Sequence, residues 1–299
     1  MALRDALKTG EFVVTAELGP PLEPNADAVR VKARAFANVV HAANVTDNQA
    51  ATVKLSPLVC SAWMLEEGVE PILQLTTRDR NVLALQADLL GAWALGVRTI
   101  LALSGDPLKV GPYESIAHPV SEVDSLGLSR LVAQMNQGRL AAGEELDTPT
   151  DFLIAGAANP LVDTVERLEQ KLAAGVGLLQ TNIVYDVDRF ADWFAPVIEA
   201  GIPQRAPVLV GVMPPRSERM LRHMHDNIPG AEVDQATFAR MEGLEGEDAR
   251  TAGIEIAVEV VRRLRDVTGV AGVHLMAPGW EAEAVPSVVK ASVGRRWRG

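Results

Sequence analysis

Short apolar runs alternate with longer amphipathic segments along the chain. The runs are rich in Val, Ile, Leu and Ala, as is typical of strands buried in a parallel sheet. Eight of them are EFVVTAE (ending at Glu17), ANVVHAANVT (Thr46), PILQLTT (passing through Gln74), RTILALSGD (Asp106), DFLIAGAAN (Asn159), GLLQTN (Asn182), PVLVGVMPP (near Pro215) and AGVHLM (Met276). We interpret each run as a β-strand.

The segments between these runs carry helical periodicity, which is clearest at residues 79–93, 162–174, 187–200 and 252–267. Alternating strands and helices in a chain of 299 residues favour a closed (β/α)8 TIM barrel over an open doubly wound sheet. The open alternative is weakened further because no GxGxxG motif follows the first strand. We expect residues 1–299 to form one barrel, a single catalytic domain.

Two segments are longer than barrel loops need to be. Residues 108–149 follow the fourth strand and include a predicted helix at 126–142, and residues 227–247 precede the last predicted helix–strand unit. Long insertions in a barrel usually form lids or walls of a binding site.

Charge and composition narrow the function classes. The net charge of −11 argues against an extended nucleic-acid-binding surface, which needs clustered Lys and Arg. The single cysteine, Cys60, excludes an internal disulfide and a Cys-rich metal site, and no other metal signature is present. The amino-terminal residues lack the apolar core of a signal peptide, and no apolar run is long enough to span a membrane. We therefore expect a cytoplasmic protein with no membrane association.

Polar residues follow the predicted strands at the point where each strand ends. They are Glu17, Thr46, Asp47, Asn48, Gln74, Ser104, Asp106, Asn159 and Asn182. The carboxyl ends of barrel strands converge on one opening. A single polar residue at such an end is more often a helix cap, but so many on one rim favour a binding site.

Glu17 and Asp106 are the most informative of these residues. Glu17 precedes Leu18 and Gly19 and then a rigid Pro-Pro pair, a sequence poorly suited to a helix cap. Burial at the mouth of a barrel would favour its neutral form, so that it could act as a general acid. Asp106 ends an apolar strand in a Ser-Gly-Asp-Pro turn.

Five motifs occur in an order that resembles the methylenetetrahydrofolate reductase family. They are AELGPP after the first strand, NVT at the second, LALSGDP at the fourth, KLAAGVGLLQTNIVYDVDRF around the sixth and GVHLM at the eighth. The resemblance extends over nearly the whole chain. It implies reduction of 5,10-methylenetetrahydrofolate to 5-methyltetrahydrofolate, with NAD(P)H as hydride donor and a bound flavin, FAD, between them.

The resemblance also implies roles for individual residues. Glu17 would protonate the folate nitrogen, and Asp106 would hold the pterin ring and stabilise the cationic iminium. Gln180 and Asn182 would contact the substrate as well. The positions implied for contact with the cofactor are Thr46, Asp47, Gln74, Ser104, Gly105, Asp106, Asn159 and Lys171.

The sequence departs from the family pattern mainly on the cofactor side. Asn182 stands where Gln is common, Gln74 where His is common, and Ser104 where Arg is common. FMN, or direct hydride transfer without a flavin, therefore stays open. So do a pterin-binding barrel active in methyl transfer, a subunit that takes electrons from a redox partner protein, a non-enzymatic folate-binding protein, and assembly into a homo-oligomer.

Overall fold

The strands close into one parallel barrel. The computed structural model describes residues 2–227 and 232–294. Within these residues eight strands pair in chain order, and the last pairs with the first. The strands are β1 (Val13–Leu18), β2 (Ala42–Val45), β3 (Pro71–Thr76), β4 (Thr99–Leu103), β5 (Leu153–Ala158), β6 (Leu178–Ile183), β7 (Val208–Val212) and β8 (Val270–Leu275). Each strand coincides with a predicted apolar run, and β1, β6 and β8 extend one residue beyond theirs. The predicted TIM barrel is confirmed.

Helices pack around the barrel, most of them over the outer faces of the strands. They are α1 (Leu3–Thr9), α2 (Ala26–Phe36), α3 (Pro57–Glu66), α4 (Val82–Leu95), α5 (Ser125–Asn136), α6 (Val165–Ala173), α7 (Val187–Glu199), α8 (Ile202–Arg205), α9 (Glu218–Asn227), α10 (Gln235–Met241), α11 (Gly246–Arg265) and α12 (Glu281–Ser292). Buried side chains such as Phe36, Leu89, Phe194 and Val261 fill the layer between helices and strands.

The amino-terminal end of the barrel is closed and apolar. Leu3 and Ala6 of α1 pack against a ring of side chains that point into the barrel, among them Val13, Ile72 and Leu101. Because side chains alternate along a strand, the residues two and four positions later on these strands also face the interior. Helix α1 therefore acts as a plug, and the opposite end is left to form a site.

A polar layer lies above this apolar ring. Asn44 and Gln180 exchange hydrogen bonds of 2.8 and 3.2 Å, and Gln180 Nε2 also donates to Thr15 Oγ1 at 3.4 Å. His274 Nδ1 lies 3.0 Å from Thr15 Oγ1, and burial lowers the pKa of this histidine to about 3. The interior layer nearest the site is thus hydrogen-bonded and uncharged near neutral pH.

The two long insertions are present where they were expected. Helix α5 ends at Asn136, earlier than the predicted residue 142, because Gly138 adopts a left-handed conformation with φ +80°. The second insertion contains α10 and includes residues 228–231, which lie outside the described residues, as do residues 1 and 295–299 of the predicted domain. No helix among the described residues is long and apolar enough to cross a membrane.

Candidate functional site

Glu17 lies on β1 at the open end of the barrel and is almost completely buried. Its side chain follows Thr15 on the interior face, and the residue is 7% exposed. Burial raises the pKa of the Glu17 carboxyl from 4.5 to about 7, and the negative charges of Glu281 and Asp106 add to this effect. A hydrogen bond from Gln49 and the charge of Lys32 act in the opposite direction. The Glu17 carboxyl therefore keeps its proton to a much higher pH than an ordinary glutamate does.

The loop after β2 connects Glu17 with Asp106. The Gln49 side chain reaches Glu17, and the backbone N–H of Ala50 donates to Asp106 Oδ2 at 2.6 Å. Glu17 and Asp106 thus share one mouth of the barrel. Asp106 is exposed, so a molecule bound at this mouth can contact it.

This loop has a strained backbone. Asn48, Ala50 and Ala51 adopt left-handed conformations with φ of 45°, 54° and 49°, which are unfavourable for residues other than glycine. Gly111 packs directly on the loop, since a Cβ there would lie 2.4 Å from Ala51 O. Strain of this kind concentrates at functional sites, and here the strained loop contacts both carboxyl groups.

The turn after β4 places Asp106. Gly105 needs its left-handed φ of +86°, and a Cβ there would lie 3.1 Å from Arg78 Cβ. Ser104 Oγ accepts a hydrogen bond from Ser125 N at 3.2 Å. Arg78 donates to the Asp106 carbonyl at 2.8 Å. The turn is therefore held by its own contacts, and these leave the second oxygen of Asp106 accessible.

Asp47, Thr46 and Gln74 are buried at the neighbouring strand ends. Asp47 Oδ2 accepts hydrogen bonds from the Thr76 backbone N and from Thr76 Oγ1, both at 2.9 Å, and pairs with Arg80 at 2.6 Å. This carboxylate links β2 to β3 and is not exposed to a ligand.

A bulge in β6 shapes the opposite wall. The pairing of β6 with β7 shifts between Gln180 and Ile183, and Gly211 allows the close approach, since a Cβ there would lie 2.6 Å from Asn182 O. Bulges near sites re-aim side chains. Asn182 is half-buried at the rim, whereas Gln180 lies one layer deeper, where it is bonded to Asn44.

A closed ion pair joins α6 to the loop after β5. Lys171 Nζ donates to Asp163 Oδ2 at 2.5 Å and to Ala157 O at 2.8 Å, and both charged side chains are about 12–13% exposed. Asp163 also accepts from Asn159 N at 2.9 Å, while Asn159 Oδ1 accepts from Leu161 N.

A comparison of the sequence with protein-family models identifies the family of the chain. The model of the methylenetetrahydrofolate reductase family matches residues 2–292. The chain belongs to this family. Methylenetetrahydrofolate reductase 1 of Schizosaccharomyces pombe is 25% identical over 248 residues, which are 79% of this chain and 38% of that protein. Methylenetetrahydrofolate reductase 2 of Saccharomyces cerevisiae is 29% identical over 115 residues, 37% of this chain and 18% of that one. The chain thus spans less than two fifths of the length of these relatives.

Solved structures share the barrel fold of this chain. An uncharacterized protein from Clostridium thermocellum, which binds two copies of 5-methyl-5,6,7,8-tetrahydrofolic acid, superposes with a TM-score of 0.67. The alignment covers 96% of this chain and 98% of that one at 14% identity. An F420-dependent secondary alcohol dehydrogenase gives a TM-score of 0.51 at 13% identity, over 94% of this chain and 99% of that one. At these identities the likeness concerns the fold alone.

The surroundings of Lys171 bear on the flavin that the family implies. A flavin dinucleotide carries a diphosphate, whose charge is normally met by cations or backbone N–H groups. Lys171, one of the positions implied for contact with the cofactor, would be the cation for this phosphate, but its ammonium is already balanced by Asp163. A phosphate bound to Lys171 would lie next to the Asp163 carboxylate, and the two negative charges would repel each other. In this arrangement Lys171 does not fit a flavin phosphate. The flavin stays a prediction.

Three residues that surround Glu17 were not predicted. Gln49 contacts Glu17 from the loop after β2, whereas Lys32 of α2 and Glu281 of α12 add charges beside it. Glu281 could have been found by extending the strand-end argument to the eighth strand, because only the short segment MAPGW separates it from β8. Lys32 has no such signal, because it lies inside an ordinary amphipathic helix.

Proposed function

We propose that this chain reduces 5,10-methylenetetrahydrofolate to 5-methyltetrahydrofolate, with NAD(P)H as the hydride donor. The observation that carries the proposal is a buried carboxyl group, Glu17, whose pKa is raised to about 7 at a barrel mouth that it shares with Asp106, in a chain of this family. The folate ligand of the Clostridium thermocellum protein supports the same class of substrate.

Glu17 acts as the general acid. It donates its proton to N10 of the folate as the bond between N10 and the bridging methylene carbon breaks, which leaves a cationic N5 iminium. A carboxyl group with a pKa near the working pH is suited to this transfer, because it is protonated in a large fraction of molecules and still gives up its proton readily. The carboxylate left behind regains a proton from solvent.

Asp106 stabilises the positive charge that develops. Its carboxylate is fixed by the Ala50 N–H, so that little reorganisation is needed when the iminium forms. Hydride from the nicotinamide then adds to the methylene carbon, giving the N5-methyl group and NAD(P)⁺. Asn182, on the opposite wall, offers an amide donor and acceptor to the pterin ring.

The test is anaerobic turnover of 5,10-methylenetetrahydrofolate with NADH or NADPH, followed by chromatographic detection of 5-methyltetrahydrofolate. Glu17→Gln should lower kcat/KM by about a thousandfold, since an amide cannot supply the proton. Glu283→Gln, the same change at a half-exposed position of α12, is the control. Folate turnover that is unchanged in Glu17→Gln would reject the role of Glu17.

Asp106→Asn tests the second carboxylate. The amide oxygen still accepts from Ala50, so the loop should be preserved, but the charge facing the iminium is lost. We expect a decrease in kcat of about a hundredfold and weaker folate binding. Kinetics equal to those of the unmodified chain would show that Asp106 only shapes the turn.

A further inference from the structure

Glu281 is a buried carboxylate that the chemistry above does not use. It is the first residue of α12, and its side chain is 4% exposed. Acidic residues are common in the first turn of a helix, where they stabilise the helix dipole from a solvated position. Burial of such a charge is costly unless it is paired, so its contacts need an explanation.

The contacts form a closed triangle on the turn that follows Glu17. Lys32 Nζ lies 2.9 Å from Glu281 Oε1, and it also donates to Gly19 O at 2.9 Å. Gly19 N donates to the same Glu281 oxygen at 3.3 Å. Both polar backbone groups of Gly19, two residues after Glu17, are therefore held by this ion pair. A Cβ on Gly19 would lie 3.3 Å from Glu281 Oε1, so the fit is close.

The same pair is part of the charge environment of Glu17. The charged groups that act on Glu17 are Glu281 from α12, Asp106 from the turn after β4 and Lys32 from α2, with Gln49 as a neutral hydrogen-bond partner. Among the charges, Glu281 has the largest effect and Lys32 the smallest. A carboxylate beside a second carboxyl group favours its protonated form.

We propose that Glu281 and Lys32 are positioning residues for Glu17. They fix the turn that orients the Glu17 carboxyl, and the net effect of their two charges keeps that carboxyl in the acid form. This inference rests on the proposed function, in which Glu17 must carry a proton to the folate. The pair acts through Glu17 and does not itself contact the reacting atoms.

The test measures the ionisation of Glu17 without any folate. Protein labelled with ¹³C at the glutamate carboxyl carbons is titrated by NMR, and the resonance that is missing from Glu17→Gln is assigned to Glu17. Glu281→Gln keeps an oxygen acceptor for Gly19 and Lys32 but removes the charge. We expect the Glu17 midpoint to fall by about one pH unit.

Two further variants distinguish an electrostatic effect on the Glu17 midpoint from the effect of a loosened turn. Lys32→Gln should move the Glu17 midpoint upward, opposite to Glu281→Gln, whereas a loosened turn would move both in the same direction. Glu283→Gln removes a charge from the same helical turn at a side chain that is 51% exposed, where solvent screens it. It should move the midpoint by less than about 0.2 pH unit.

The kinetic counterpart is the pH profile of kcat/KM, whose decrease at high pH should move with the Glu17 midpoint in each variant. An unmoved midpoint in Glu281→Gln, or one that moves no more than in Glu283→Gln, overturns the inference. Should Glu281→Gln not fold, the absence of an upward shift in Lys32→Gln overturns it equally. Shifted midpoints in a chain that forms no 5-methyltetrahydrofolate would reject the proposed function while leaving the electrostatic pairing in place.

Discussion

Two buried carboxyl groups lie at the ends of neighbouring strands, and their surroundings differ. Asp47, after β2, accepts hydrogen bonds from Thr76 and pairs with Arg80 at 2.6 Å. Glu17, on β1, is hydrogen-bonded to Gln49 and lies near two carboxylates, with Lys32 as the opposing charge. Both residues are nearly inaccessible to solvent.

The difference shows why burial alone does not identify a catalytic acid. A buried carboxylate that is surrounded by donors and a cation is a structural link, since its charge is balanced on site. A buried carboxyl group that lacks such donors, and that faces other carboxylates, holds a proton instead. Asp47 therefore stabilises the barrel, whereas Glu17 holds a proton at the site.

The largest effect on stability is expected at Asp47. Asp47→Asn removes the charge that balances Arg80, whose side chain is 17% exposed, and weakens the link from β2 to β3. We expect the free energy of unfolding to fall by about 3 kcal/mol, measured by urea denaturation. Asp88→Asn is the matched control, because Asp88 pairs with the same arginine from a side chain that is 36% exposed. It should cost less than about 1 kcal/mol. Equal losses would contradict the structural role assigned to Asp47.

The next effect on stability comes from the proton bound to Glu17, which stabilises the folded chain and is lost as the pH rises. The pKa of Glu17 is raised from 4.5 to about 7 in the folded chain, so the folded state binds more protons than the unfolded state between these values. Its contribution to stability is fully present below about pH 4.5 and is lost as the pH rises through 7. Between pH 5 and pH 8 the loss amounts to about 2.5 kcal/mol.

Glu17→Gln removes this pH dependence. The free energies of unfolding of the unmodified chain and of Glu17→Gln are measured by urea denaturation at pH 5 and pH 8. Relative to the unmodified chain, the variant should be more stable at pH 8 than at pH 5 by about 2.5 kcal/mol. Parallel stabilities at both pH values would mean that Glu17 is ionised in the folded chain. That result would place Glu17 in the same class as Asp47.

The sequence predicted the barrel because its signal is local. Strands buried on both faces must be almost wholly apolar, and each of β1 to β8 coincides with such a run to within one residue. It also brought Glu17 and Asp106 to one rim, since parallel strands carry their ends to the same side. The length of α5 was overestimated because a single left-handed glycine, Gly138, ends it.

The surroundings of the acid could not be predicted in the same way. Glu281 and Lys32 are separated by 249 positions, and nothing local to either indicates the other. The loop that carries Gln49 has left-handed φ values at alanine and asparagine, which depend on packing against Gly111. Local patterns thus predict where a polar side chain lies, whereas its ionisation depends on residues that only the fold brings near.

The smallest expected effect extends the comparison to the ion pair of Lys171 and Asp163. This pair resembles Asp47 and Arg80 in being closed, so it should resist a phosphate rather than attract one. Asp163→Asn leaves the Lys171 ammonium without its counter-charge, and FAD should then bind about tenfold more tightly than to the unmodified chain. Binding is measured by quenching of flavin fluorescence, with Glu166→Gln in the first turn of α6 as the control. Tighter FAD binding by the unmodified chain than by Asp163→Asn would show that Asp163 belongs to the flavin site, and the loop after β5 would then be a cofactor cradle.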